Sequence, residues 1–233
     1  TMSLTFKVGE TPRVYVERIN IQGNTVTRDK VIRREFRLNE GDAFNAFKVK
    51  RSQDRIQNLG YFQENLEIKQ AQGSSNDRVV LNLDVEEKST GELQLSAGYS
   101  SLEKFIISSS VAQRNFMGKG QILQTGVSYS KYAKSVSAGF TEPFLFDKSI
   151  LLGGELFYRD SSSFNYDADG ERNQTYGQTS VGGVIRMGFP VTEFVSFGGR
   201  YSLIRDNITL DKSTFYTDPD GDGPLPTECN PLR

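Results

Sequence analysis

Histidine is absent from the 233 residues, and so is tryptophan. Without imidazole there is no Ser-His-Asp triad, no histidine general base and no imidazole metal ligand. Cys229 is the single cysteine, so no disulfide can close within the chain. Neither sign of charge dominates. The 28 Lys and Arg against 29 Asp and Glu leave a net charge of −1, which gives no electrostatic footprint for nucleic acid. Long apolar runs are missing as well. Mean hydropathy is −0.48, and no stretch approaches the ~20 apolar residues of a membrane-crossing helix. That excludes helical spans but not spanning strands, whose signal per segment is weak. Thr1-Met2-Ser3 shows no basic region followed by an apolar stretch, so the reading is of a mature chain or a fragment. The paired carboxylates Glu86 and Glu87 fall in a polar link, and no nucleophile–base pair accompanies them. The chain therefore reads as a non-enzyme with no cofactor.

What is present is alternation. From Gly91 onward, Leu93, Leu95, Ala97 and Tyr99 alternate with Glu92, Gln94, Ser96 and Gly98. Leu123, Thr125, Val127 and Tyr129 alternate with Gln124, Gly126 and Ser128, and Val136, Ala138 and Phe140 with Ser135, Ser137 and Gly139. Val181, Ile185 and Met187 alternate with Ser180, Gly182 and Arg186. A period of two gives each strand one apolar and one wet face. Runs of about 9–11 residues with this pattern suit tilted transmembrane strands. A soluble antiparallel sandwich alternates in the same way.

Seven strands are expected, at 91–101, 104–116, 120–131, 135–144, 148–160, 175–189 and 195–208. Their connections alternate in character. Asn115–Gly120, Glu142–Lys148 and Pro190–Phe194 are compact, whereas Asp160–Thr175 and the segment after Asn207 are long and polar. Aromatics gather at the strand ends, with Phe116, Phe144, Phe146, Phe189 and Phe194 at one end and Tyr99, Phe105, Tyr129, Tyr132 and Tyr158 at the other. Short turns on one side, long loops on the other and two aromatic girdles favour a transmembrane β-barrel over a sandwich. Seven is odd and an open sheet in lipid leaves bare edges, so the barrel is expected to be truncated.

The region before the strands has a different pattern. A strand from Val14 to Ile21 ends at Gly23-Asn24. Thr27 is placed as the N-cap of a helix through about Leu38, and Gly41-Asp42 breaks it. A second helix runs from about Phe44 to Leu59, with Val49, Ser52, Ile56 and Leu59 on one face and Gly60 as its stop. Strands around Leu66–Ile68 and Val79–Val85 flank the loop Gly73–Asp77. The order is β-α-α-β-β, followed by the polar link Glu86–Thr90.

Val16-Glu17-Arg18-Ile19-Asn20-Ile21-Gln22-Gly23-Asn24, Val31-Ile32-Arg33-Arg34-Glu35-Phe36-Arg37 and Leu59-Gly60-Tyr61-Phe62 resemble a POTRA domain. They are most similar to the last POTRA domain of the BamA family of outer-membrane assembly factors. Glu87-Lys88-Ser89-Thr90-Gly91 resembles that family's entry into its barrel. Gln113–Gly120 and Phe140–Phe146 resemble its first two periplasmic turns. On this resemblance residues 1–12 end a preceding POTRA domain, 13–88 form a POTRA domain and 89–233 begin a barrel of about sixteen strands. The implied function is the folding and insertion of β-barrel proteins into the outer membrane, with the POTRA domain in the periplasm. The implied partners are accessory lipoproteins, unfolded outer-membrane proteins and the lipid bilayer. The alternatives are a related POTRA-barrel exporter, of two-partner-secretion or autotransporter-assembly type, and a non-membrane β adhesin module.

Three places carry candidate sites. The first barrel strand, with Gly91, Leu93, Leu95, Ser96, Gly98 and Tyr99, is the lateral gate that the resemblance implies, where an edge accepts an added strand. Arg33, Arg34, Glu35 and Arg37 form a charge cluster, either a solvated helix face or the docking surface for an accessory lipoprotein. On the docking reading Glu35 is the specific contact and Arg37 supports it. Asp218, Asp220 and Asp222 resemble the start of a calcium loop, but Cys229 stands where the closing Glu belongs, so a flexible acidic loop is the stronger reading and no metal site is assigned. Cys229 itself is expected to pair with a cysteine beyond Arg233.

Overall fold

A computed structural model describes residues 12–101, 103–166, 172–192 and 195–210. The candidate calcium loop, Cys229, Phe194 and most of residues 1–12 lie outside the described residues. The chain divides into two compact units. One holds the residues up to Thr90 together with Asn115–Gly120. The other holds Gly91–Arg114 and the residues from Gln121 onward.

The first unit builds its core from three layers of sequence. Strand β1 (Tyr15–Gln22) pairs in parallel with β3 (Arg78–Asp84), and β2 (Glu67–Gln72) pairs antiparallel with β3, in the order β1-β3-β2. A register shift between Val16 and Arg18 breaks the alternation of β1, so Val16 and Ile19 both face inward. They meet Leu81 and Leu83 of β3, Ile68 of β2 and the apolar stripe Val49–Ile56 of helix α2 (Ala46–Asn58). Asn45 caps α2, its side chain accepting from Phe47 N at 2.9 Å and Lys48 N at 3.2 Å. Gly60, at φ +72°, ends the helical region as a left-handed residue should. Ser52 is fully buried on the same face without penalty. Its Oγ donates to Lys48 O (2.7 Å) and accepts from Arg37 N (2.8 Å).

The first helix differs from its expectation. Helix α1 covers only Asp29–Arg33, and Arg28, not Thr27, precedes it, with no side-chain cap. After Arg33 the chain tightens: Glu35 N bonds Ile32 O and Phe36 N bonds Arg33 O, both i→i−3 bonds. Phe36 and Leu38 reach the core from this irregular segment. Thr27 is buried and otherwise occupied, as described below.

The second unit is one seven-stranded sheet of consecutive neighbours, β10-β9-β8-β7-β6-β5-β4. The strands are β4 (Gly91–Ser100), β5 (Lys104–Phe116), β6 (Gln121–Tyr129), β7 (Ala133–Glu142), β8 (Leu151–Tyr166), β9 (Arg172–Pro190) and β10 (Ser196–Leu210). The register places Leu93 across from Val111, Val127 from Val136, Phe140 from Gly154 and Ile185 from Tyr201. One face thus gathers Leu93, Leu95, Val127, Val136, Phe140 and Ile185, all exposed. The other face holds Gln94, Gln124, Ser128 and Arg186. In the first unit large aliphatic side chains are buried, whereas here Leu95 is 70% and Leu203 69% exposed. That is the inverse of a water-soluble fold. No helix among the described residues is long and apolar enough to cross a membrane, which says nothing of crossing strands.

Two features of the sheet depart from expectation. The connection Asp160–Thr175, expected to be a long loop, is mostly strand. β8 continues to Tyr166 and β9 begins at Arg172, their pairing shifting register between Ser163 and Phe164. Polar residues can extend a ribbon beyond an apolar band, because backbone pairing does not require a greasy face. The inner face is also not uniformly polar. Among the described residues Phe157 and Val184 are buried on it. Phe157 lies against Gly182, where a Cβ would come within 2.7 Å of its Cζ, and Arg159 sits 4.6 Å from the Phe157 ring centre.

Candidate functional site

Strand β4 is the strongest candidate. It lies at one end of the sheet and pairs with β5 alone among the described residues. Its register is unbroken from Gly91↔Gln113 to Ser100↔Lys104. Nearly every residue is exposed on both faces, so backbone pairing to β5 is its main attachment. Its side-chain ties to β5 include an exposed salt bridge from Arg114 to Glu92 at 3.8 Å. Ser96 Oγ and Ser108 Oγ lie 2.5 Å apart, and the rings of Tyr99 and Phe105 meet edge to face at 5.3 Å. A Cβ built at Gly98 would meet nothing within 4 Å, so this glycine leaves the strand thin rather than making room for a neighbour. Among the described residues no strand pairs with the far edge of β4, and an edge of this kind offers N–H and C=O groups on which another strand can add.

The four charges Arg33, Arg34, Glu35 and Arg37 do not share a surface. Arg33 is exposed and engaged: it donates to Asp29 (2.8 Å), lies 3.5 Å from Glu40, and reaches Ile19 O at 3.3 Å. These hydrogen bonds to Asp29 raise its pKa further above the ordinary arginine value. Arg34 is half-buried beside Glu35. Glu35 is 5% exposed, and its carboxylate accepts from Arg55 at 2.6 Å. Arg37 is exposed, tied through its backbone to Ser52. The surface near Glu35 is therefore presented by Arg55. A partner contacting Glu35 directly has to displace that guanidinium.

The sequence did not single out what surrounds Glu87. The Glu86–Thr90 link is folded into the first unit. Gln63 N bonds Glu86 O (2.9 Å), Lys88 N bonds Tyr61 O (2.9 Å), and Phe62 and Glu87 form an antiparallel bridge. The Glu87 carboxylate accepts from Thr25 N (3.0 Å), Thr25 Oγ1 (2.6 Å), Val26 N (2.8 Å) and Thr27 N (2.6 Å). Partial burial alone raises its pKa, but these donors outweigh it and hold the group at about 2. Successive backbone N–H groups converging on one carboxylate form an anion nest. The partners lie 60 to 62 residues apart, so no local pattern announces them.

Residues 14–88 match the family model described as surface antigen variable number repeat, POTRA, and residues 115–224 match the Omp85 superfamily domain. This segment belongs to the BamA family. It is 34% identical over 85% of its length to the outer membrane protein assembly factor BamA of Neisseria meningitidis, and 30% identical over 88% to that of Nitratidesulfovibrio vulgaris. The chain spans 24% of each of those relatives. Among solved structures, it superposes on BamA from Haemophilus ducreyi lacking POTRA domains 1–3 with a TM-score of 0.66 and 27% identity, covering 84% of this chain and 36% of that one. CdiB from Escherichia coli shares the fold, with a TM-score of 0.61 at 14% identity over 84% of this chain and 38% of that one. In BamA-family terms the described strands are a POTRA domain followed by part of an antiparallel barrel wall.

Proposed function

We propose that this chain is part of an outer-membrane protein assembly factor, which folds and inserts β-barrel proteins by templating their strands on the edge of β4. The observation that carries the reading is the edge itself: a ten-residue strand, exposed on both faces and held by one neighbour among the described residues. A strand entering lipid needs its amides paired at every stage, because hydrocarbon offers no alternative partner. A weakly attached edge supplies those partners without nucleotide or covalent chemistry. The names of the Neisseria and Nitratidesulfovibrio relatives support the same activity. The protein would lie in the bacterial outer membrane with its POTRA domain in the periplasm. Accessory lipoproteins would dock on the first unit, where Arg33 and Arg37 are exposed and Arg55 covers Glu35.

The test is a lock. In the full-length protein, Gly98→Cys crosslinked to a cysteine on the final barrel strand should abolish insertion of substrate barrels while the protein itself stays folded. The open space around Gly98 accommodates the new side chain. Gln94→Ala and Ser96→Ala should have much smaller effects, since the template is backbone. Full insertion activity in the locked protein would refute the templating edge and favour a POTRA-barrel exporter.

A further inference from the structure

The β4–β5 hairpin has an open end. Gly91, the first residue of β4, pairs with Gln113 near the finish of β5, and the salt bridge from Arg114 to Glu92 at this end, at 3.8 Å, is exposed and adds little to the pairing. Both chain segments leaving it belong to the first unit, and both are bound by one short loop, Gly23–Arg28. On the entry side, Glu87 stands four residues before β4 and takes hydrogen bonds from Thr25, Val26 and Thr27. On the exit side, Asn115 Nδ2 donates to Thr27 Oγ1 at 2.8 Å, and Arg28 N donates to Gly118 O at 2.9 Å. Asn115 Oδ1 accepts from Gly120 N at 2.8 Å, which shapes the turn for this approach.

Thr27 serves both sides at once, its N–H on Glu87 and its hydroxyl accepting from Asn115. Both Thr27 and Asn115 are almost wholly buried, so these are not exchangeable surface contacts. The approach is also close. Gly118 sits at φ +69°, and a Cβ there would fall 1.9 Å from Val26 O, so only glycine fits. We propose that the Gly23–Arg28 loop is a clip that fastens both strands of the β4–β5 hairpin at its open end, with Thr27 as the residue shared between its two jaws. That the clip sets how freely β4 exchanges partners rests on the templating function proposed above. Closed, it keeps the two strand ends in register. Open, it lets β4 part from β5 at its base.

Backbone hydrogen exchange of the full-length protein in lipid bilayers tests the clip. Glu87→Gln removes the charge on the entry side, and Thr27→Val removes the hydroxyl on the exit side while keeping the shape and the N–H. Each variant should accelerate exchange by about tenfold or more in residues 23–28, in 115–120 and at Gly91–Leu93, with the double variant adding little. Unchanged exchange in α2 shows that the unit remains folded, and Thr25→Val, which removes one donor to Glu87, supplies a milder variant if it does not. Acceleration confined to 23–28 in Glu87→Gln and to 115–120 in Thr27→Val would overturn the clip. Substrate insertion is read separately. Faster hairpin exchange with unaltered insertion keeps the clip and sinks the templating function, whereas unaltered exchange sinks the clip whatever insertion does.

Discussion

At the scale of single residues, Glu87 is the clearest case of environment overriding type. Its pKa lies at about 2 in the fold against 4.5 for an ordinary glutamate, so the ionised form favours the folded loop. The contribution is complete above about 4.5 and is lost as pH falls towards about 2. Protection factors of the Thr25–Thr27 amides should therefore hold steady through pH 4.5 and fall below it, and Glu87→Gln should flatten the dependence. A flat dependence in the native sequence, like that expected of Glu87→Gln, would show that the nest does not bind the carboxylate. Glu35 carries the opposite lesson. Its place in the sequence, among Arg33, Arg34 and Arg37, suggests an exposed charge cluster. The irregular turn after α1 rotates it inward instead, where Arg55 neutralises it from 20 residues away.

At the scale of elements, alternation specifies most of the sheet. A slip of one residue would turn every apolar side chain to the wrong face, so the pattern of β6 and β7 fixes both strands and their register. The same logic marks the face. Spin labels at Leu93, Val127 and Ile185 should be shielded from water-soluble quenchers in membranes, while labels at Gln94, Gln124 and Arg186 should be quenched. Equal quenching of the two sets would refute the assignment. Val127→Arg should cost about 2–4 kcal/mol if the site lies near the bilayer midplane, measured by reversible unfolding in lipid. What the sequence did not disclose are elements set by distant partners. Thr27 has the composition of a helix cap, but its side chain is claimed by Asn115, 88 residues on. The five-residue α1 ends early because Phe36 and Leu38 must reach the core, and helix periodicity carries no record of that demand. The extension of β8 and β9 is invisible because Ser, Gln and Asn serve equally in a loop and in a wet ribbon.

At the scale of the molecule, the two units obey opposite solvation rules. The POTRA unit hides Ile32, Leu38, Ile56 and Phe62 completely or nearly so, while the sheet exposes Leu93, Phe105, Leu156 and Leu203. Transfer of the protein from detergent micelles into plain buffer should therefore cause aggregation, seen by light scattering. Monodisperse protein in buffer would favour the non-membrane module.

The β8–β9 ribbon has a mechanical consequence. β9 is 19 residues long, roughly 60 Å of contour at about 3.3 Å per residue, and a tilt of about 45° still leaves some 45 Å along the membrane normal. The apolar band of such a barrel is only about 25 Å tall. The inner ends of β7 and β8 finish together, at Glu142 and Leu152, so the surplus stands at the other end. A paired ribbon of that height is a mast. The paired strands hold their own residues at a set height beyond that band, where an unpaired coil would wander.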